Sequence, residues 1–156
     1  MERLFANLKS RFPVKNKRMS VVAPLIAAAL PFVVWPLELL LPSPAVVEEL
    51  AKAATIFFFN RSVPRFNPLR TALVMGVMFA LSESVMYMFN IISVGNLSTL
   101  FLRLLITIPL HTSTSLLIAK NIFASKKQAC LGILGAIALH AVFNWIIRSY
   151  SAALPF

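Results

Sequence analysis

The sequence alternates long apolar runs with short polar or proline-rich breaks, and this pattern restricts what the chain can fold into. A helix needs about 20 mostly apolar residues to cross the hydrocarbon core, and lipid tolerates only helices and closed barrels. The pattern predicts an all-α fold, a polytopic transmembrane helix bundle of about five spans. The five runs cover residues 21–41, 45–59, 69–92, 99–118 and 129–147.

Composition supports a membrane protein and argues against a nucleic-acid binder. Hydrophobic residues make up 59% of the chain and charged residues 13%, whereas a soluble domain carries about a quarter charged residues. The net charge of +10 comes from short basic clusters between the apolar runs. We therefore predict a basic N-terminal arm (1–20), a helical membrane domain (21–150) and a short tail (151–156), with the lipid bilayer as surroundings and no nucleic-acid partner.

The basic clusters also predict an orientation. They lie in the N-terminal arm, between the second and third runs and between the fourth and fifth runs, whereas the other two connections carry no Lys or Arg. The positive-inside rule then predicts a cytoplasmic N-terminus and an external C-terminus after five crossings. The second run, 45–59, is the weakest crossing because it is short, so this helix is either tilted, partly re-entrant or set in a thinned bilayer.

Several ionisable residues and the amide Asn144 interrupt the apolar runs. A charge near the bilayer centre costs about 2.5–3.5 kcal/mol, so these side chains must pair, face water or become neutral. Helical spacing places several of them on shared faces, so we expect them to meet in one interior cavity. The expected set is Glu48, Glu49, Lys52, Glu83, Tyr87, Arg103, His111, His140 and Asn144.

This set of side chains suits peptide hydrolysis without a serine or cysteine nucleophile. A buried carboxylate can take a proton from water and return it to a leaving amine, while imidazoles and an amide orient the water or hold the oxyanion. Two histidines and a glutamate can instead ligate a divalent metal such as zinc, leaving a second glutamate as base. The candidate ligands are Glu49, Glu83, His111 and His140, although the sequence lacks the His-Glu-x-x-His pattern.

Four segments between Glu48 and Asn144 resemble the motifs of the PrsW intramembrane proteases, in family order. They are Glu48-Glu49-Leu50-Ala51-Lys52, then Phe79-Ala80-Leu81-Ser82-Glu83 with Tyr87, then Arg103 with His111-Thr112, and His140-Ala141-Val142-Phe143-Asn144. This family is related to the CAAX-prenyl protease and bacteriocin-processing group (CPBP, Abi). The resemblance implies an intramembrane endopeptidase acting on a membrane protein or peptide.

The resemblance also implies roles for individual residues. Glu48 or Glu49 would supply the water-activating carboxylate, and His111, His140 and Asn144 would bind water, metal or oxyanion. Glu83 joins the catalytic candidates because a carboxylate amid apolar residues needs a purpose. Supporting roles fall to Lys52, Arg103 and Tyr87.

Other readings of the same residues stay open at this point. Acidic residues near a helix start can simply cap it, histidines and Asn144 can join helices, and Arg103 can either snorkel or pair with a glutamate. A buried Glu and His relay would also suit a proton- or metal-ion-coupled transporter, and a silent scaffold is a third reading. Because the chain is short for the family, a homo-oligomer is an open alternative.

Overall fold

A computed structural model describes residues 17–62, 67–93 and 97–151 and contains five α-helices in these ranges, with no strand. This confirms the predicted all-α helix bundle, and each predicted apolar run coincides with one helix. Most of the predicted N-terminal arm and of the tail, as well as Arg65, lie outside the described residues. The helices are α1 (Lys17–Leu40), α2 (Pro44–Ser62), α3 (Pro68–Ser93), α4 (Leu97–Asn121) and α5 (Lys126–Ser151).

Four of the helices are long and apolar enough to cross a membrane. The crossing segments are Val22–Leu40, Pro68–Met88, Leu100–Asn121 and Lys126–Ser149. Helix α2 differs because its 19 residues carry four charges, on Glu48, Glu49, Lys52 and Arg61. A complete crossing by α2 therefore stays a prediction.

Helix α2 packs with one face against the other helices. It contacts each of these four helices, which form an arc in the order α1, α3, α4, α5. Among the described residues, no Cα atom of α1 lies within 8 Å of a Cα atom of α5, so the arc is open between these two helices. The most polar helix thus lies along the inner side of the arc.

The buried face of α2 carries charge, while apolar side chains cover much of the outer surface of the bundle. Leu50, Phe57 and Phe58 of α2 are exposed, as are Leu105 and Trp145 on the outer helices. This polarity is the reverse of that of a soluble bundle and is stable only where lipid surrounds the protein. From Glu48 onward the buried side chains of α2 recur at helical spacing: Glu48, Glu49, Lys52, Ala53, Ile56 and Phe59.

Close packing of α3 on α4 sets the position of one site residue. A Cβ atom added at Gly76 would lie 2.5 Å from the Thr112 Cα atom and 2.6 Å from the His111 carbonyl oxygen. Ala72 and Ala80, one turn to either side of Gly76, are fully buried. Such small residues let membrane helices approach closely. The absence of a side chain at Gly76 therefore allows His111 to lie directly against α3.

Candidate active site

Lys52 joins two of the helices in the interior. Its ammonium group donates a hydrogen bond to Glu49 Oε1 and another to His111 Nδ1, both at 2.8 Å. The ammonium also lies 4.3 Å from the centre of the Phe79 ring. The side chain is almost completely buried, so these contacts replace the water that the charge has lost.

The contact with Lys52 also determines which nitrogen of His111 carries the proton. An ammonium group can only donate, so Nδ1 of His111 accepts and Nε2 is protonated. Nε2 donates to Glu83 Oε2 at 2.7 Å, and the other carboxylate oxygen of Glu83 accepts from Arg103 Nη2 at 2.8 Å. The Arg103 guanidinium stacks 3.8 Å from the centre of the Tyr87 ring. Of the two readings of Arg103, the structure shows pairing with a glutamate.

His140 forms a similar bond on the other side of the cluster. Its Nδ1 lies 2.8 Å from Glu49 Oε1, the same oxygen that accepts from Lys52. Because a carboxylate accepts, Nδ1 donates, and a neutral ring then has its lone pair on Nε2. Glu49 thus orients His140 and is itself held by Lys52.

Glu48 lies between the two imidazoles. Its Oε2 atom is 3.9 Å from His111 Nδ1 and 4.0 Å from His140 Nδ1, and the two rings stand nearly perpendicular with centroids 5.1 Å apart. This oxygen is buried and has no hydrogen-bond partner among the described residues. A buried, unsatisfied carboxylate oxygen is costly, so it indicates a place for a ligand.

The group Glu48, His111 and His140 could hold a metal ion, since one ligand atom from each lies within 4.8 Å of the others. Ligand atoms about 2.0–2.2 Å from a tetrahedral zinc ion lie roughly 3.4 Å apart, so the three side chains would have to draw closer together. The lone pair of His111 Nδ1 accepts from Lys52, so the ammonium would have to give way to the ion. Two imidazoles and a carboxylate are also the donor set of catalytic zinc sites. The predicted ligands Glu49 and Glu83 are not part of this group, because their carboxylates hydrogen-bond to the histidines instead.

A cavity of about 490 Å³ lies beside this cluster, within the range of roughly 300–1,000 Å³ typical of ligand sites. Of the predicted residues, Glu48, Glu83, Tyr87, Arg103 and Asn144 line it. The remaining four are buried behind these, namely Glu49, Lys52, His111 and His140. The structure therefore brings all nine predicted residues to the cavity or to the cluster behind it.

The cavity has one acidic residue that the sequence analysis does not include. Glu38 of α1 lines the cavity and is half-buried. It lies inside an apolar segment, so the argument that singles out Glu83 applies to it as well. Its position near the end of that segment and outside the four motifs explains its omission.

Comparison with known proteins identifies the family. The sequence profile described as PrsW family intramembrane metalloprotease matches residues 15–156, which is all of the chain after residue 14. No curated protein and no solved structure matches significantly. The matched range contains every residue of the Glu and His cluster and of the cavity. The chain therefore belongs to the PrsW family of intramembrane metalloproteases.

Proposed function

We propose that this integral membrane protein is an endopeptidase that hydrolyses peptide bonds in or near the transmembrane segments of its substrates. The observation that carries the proposal is the convergence of Glu48, His111 and His140 around an unpartnered carboxylate oxygen beside a cavity. Family membership supplies the reaction class, and the cluster supplies the groups that the reaction needs.

In this proposal Glu48, His111 and His140 would hold a divalent ion such as zinc. The ion would supply Lewis-acid polarisation of the substrate carbonyl and a lowered pKa of water. Glu49 and Glu83 would keep the two imidazoles oriented through the hydrogen bonds described above, as carboxylates do behind many metal-binding histidines.

Glu83 is the best candidate for the general base. With Glu48 assigned to the ion, Glu83 is the other carboxylate that both touches the cluster and lines the cavity. It would take a proton from the attacking water and return it to the leaving amine, as peptide hydrolysis requires. Glu49 is less suited to this role because its side chain is completely enclosed, whereas Glu83 faces the cavity.

Arg103 and Asn144 complete the proposed site. Both line the cavity, and both carry N–H donors that can stabilise the oxyanion formed when water attacks the carbonyl. The Tyr87 ring under the guanidinium would keep Arg103 in place. A relation to the wider CAAX-protease and bacteriocin-processing group stays an inference from the motifs.

The test is cleavage of a fluorogenic transmembrane peptide by the full chain in proteoliposomes, with zinc content measured on the same samples. Glu48→Ala and His140→Ala should each abolish cleavage and reduce bound zinc. Leu50→Ala, a change on the lipid-facing side of the same α2 helix, should leave both unchanged and serves as the matched control.

Two results would overturn the proposal. Undiminished cleavage by both Glu48→Ala and His140→Ala would exclude the cluster as the active site. Ion flux across the proteoliposome membrane without any peptide cleavage would instead favour the transporter reading.

A further inference from the structure

Glu38 is an acidic side chain of the cavity, near the end of α1, for which the proposed mechanism has no use. It lies in the apolar segment Val22–Leu40 and lines the cavity together with Glu48 and Glu83. Within the described part of the chain, Glu38 makes no ion pair or hydrogen bond, whereas Glu83 is held by Arg103. A carboxylate that lines the cavity without a partner is available to a ligand.

Three carboxylates line the cavity, those of Glu38, Glu48 and Glu83, together with the guanidinium groups of Arg103 and Arg148. Arg103 pairs with Glu83, and Arg148 has an interaction of its own. Glu38 is left without a charged partner among the described residues and can therefore attract a positive group.

The position of Glu38 places it on a path into the cavity. The cavity is lined by Phe32 and Trp35 of α1 on one side and by Asn144 and Ile147 of α5 on the other. Since α1 and α5 are the neighbours that leave the arc open, a substrate segment arriving between them would meet Glu38 beside the motif residues.

From this geometry we infer that Glu38 is a specificity-determining residue that binds a lysine or arginine side chain of the substrate near the scissile bond. The inference rests on the proposed function, because it concerns the substrate of the same cavity. A carboxylate on the α1 wall can accept a charge-assisted hydrogen bond from such a side chain while the scissile carbonyl lies near Glu83.

The experiment compares two transmembrane peptides that differ only by Lys or Met at one position, scanned along the residues on either side of the cleaved bond. At one position the wild-type protein should cleave the Lys peptide at least about tenfold more efficiently, through a lower KM, as a hydrogen bond to a charged group would give. Glu38→Gln should lose this preference and still cleave the Met peptide at the wild-type rate. Glu38→Lys should transfer the preference to a peptide with Glu at that position.

A binding measurement separates this inference from the proposed function. In a Glu83→Gln background, which is expected to be inactive, fluorescence anisotropy should show tighter binding of the Lys peptide that disappears when Glu38→Gln is added. Equal binding of the two peptides, or a preference that survives Glu38→Gln, would overturn the inference. A fall in kcat of equal size for both peptides would also overturn it, because it would make Glu38 a proton donor.

If wild type cleaves peptides without a Lys preference, Glu38 loses its proposed role and the endopeptidase proposal stands. If no peptide is cleaved but the Glu38-dependent binding preference is present, the endopeptidase proposal fails and the cation-binding role of Glu38 stands.

Discussion

Two groups of side chains in the interior have the same composition, a cation, a carboxylate and an imidazole, but lie at different depths. The inner group is Lys52, Glu49 and His140, and the outer group is Arg103, Glu83 and His111. In the inner group, the Lys52 and Glu49 side chains are 1% and 0% exposed. In the outer group, the Arg103 and Glu83 side chains are 24% and 17% exposed, and both line the cavity.

Because of this difference in depth, the inner and outer groups have different roles although their side chains are similar. The inner group must satisfy its own charges, because no water reaches it, and it can therefore act as a rigid support for His140. The outer group has one side open to the cavity, so Glu83 can exchange a proton with water. Lys52 connects the two groups through its bond to His111, and Glu48 lies between both imidazoles.

The largest expected effect is the loss of peptide cleavage when Glu83 of the outer group is replaced. Glu83→Gln keeps the size of the side chain and can still accept from Arg103, but it removes the proposed base. We expect peptide cleavage to fall about 10²- to 10⁴-fold, the usual contribution of general acid–base catalysis, with little change in stability. Turnover in proteoliposomes and thermal unfolding of the same preparation would be measured together.

If Glu83→Gln lost stability in proportion to its activity, the outer group would be structural, as the inner group is. Glu49→Gln is the paired variant for this comparison. It should lose more stability than Glu83→Gln because Lys52 would then lack a charged partner.

The second prediction concerns stability. Glu49→Ala leaves the Lys52 ammonium without its counter-ion inside the bundle, and breaking a buried pair costs about 3–5 kcal/mol. Glu83→Ala should cost less, about 1–3 kcal/mol, since Arg103 can turn toward the cavity. Unfolding in mixed micelles with increasing SDS measures both values, and an equal or reversed order would contradict the distinction between the groups.

Much of the fold follows from the sequence because hydrocarbon imposes simple rules. Each apolar run became one helix, and the charged run 45–59 was already distinguished by its length. The contact of α2 with all four other helices does not follow from periodicity, because it depends on which helices pack together. Gly76 is a further example, since its role depends on how closely α4 approaches. The orientation of the termini and the oligomeric state stay predictions.

Part of the site could also be predicted. The spacing predicts that Lys52 pairs with either Glu48 (i, i+4) or Glu49 (i, i+3), and the structure contains the pair with Glu49. The partners of the histidines could not be predicted, because His111 and Glu83 are 28 residues apart and His140 and Glu49 are 91 residues apart. These pairings depend on the rotation of each helix about its axis, which an all-round apolar helix does not reveal in its sequence.

The third prediction tests the connection between the groups. Lys52 Nζ donates a hydrogen bond to His111 Nδ1 and neutralises Glu49. Lys52→Met should therefore destabilise the ion-free protein by about 1.5–3 kcal/mol. A divalent ion at Glu48, His111 and His140 would restore positive charge at this place. Zinc should therefore raise the unfolding temperature of Lys52→Met more than that of wild type.

If zinc raised the unfolding temperatures of wild type and Lys52→Met equally, the Lys52 ammonium and the bound ion would not lie close together. Leu50→Ala again serves as the control on α2, because its side chain points away from the cluster.

The smallest expected effect is the loss of cleavage efficiency when the guanidinium of Arg103 is replaced by an ammonium group. Arg103→Lys keeps the charge next to Glu83 but loses the flat guanidinium that stacks on Tyr87, a contact that contributes about 0.5–1 kcal/mol at partly exposed sites. Cleavage efficiency should fall by about two- to fivefold, whereas Tyr87→Phe keeps the ring face and should leave it unchanged. If Arg103→Lys were as damaging as Glu83→Gln, oxyanion stabilisation would depend on the N–H geometry of the guanidinium, which an ammonium group cannot reproduce. If Tyr87→Phe were the more damaging of the two, the phenolic hydroxyl would matter in its own right, and the stacking account of Arg103 would be wrong.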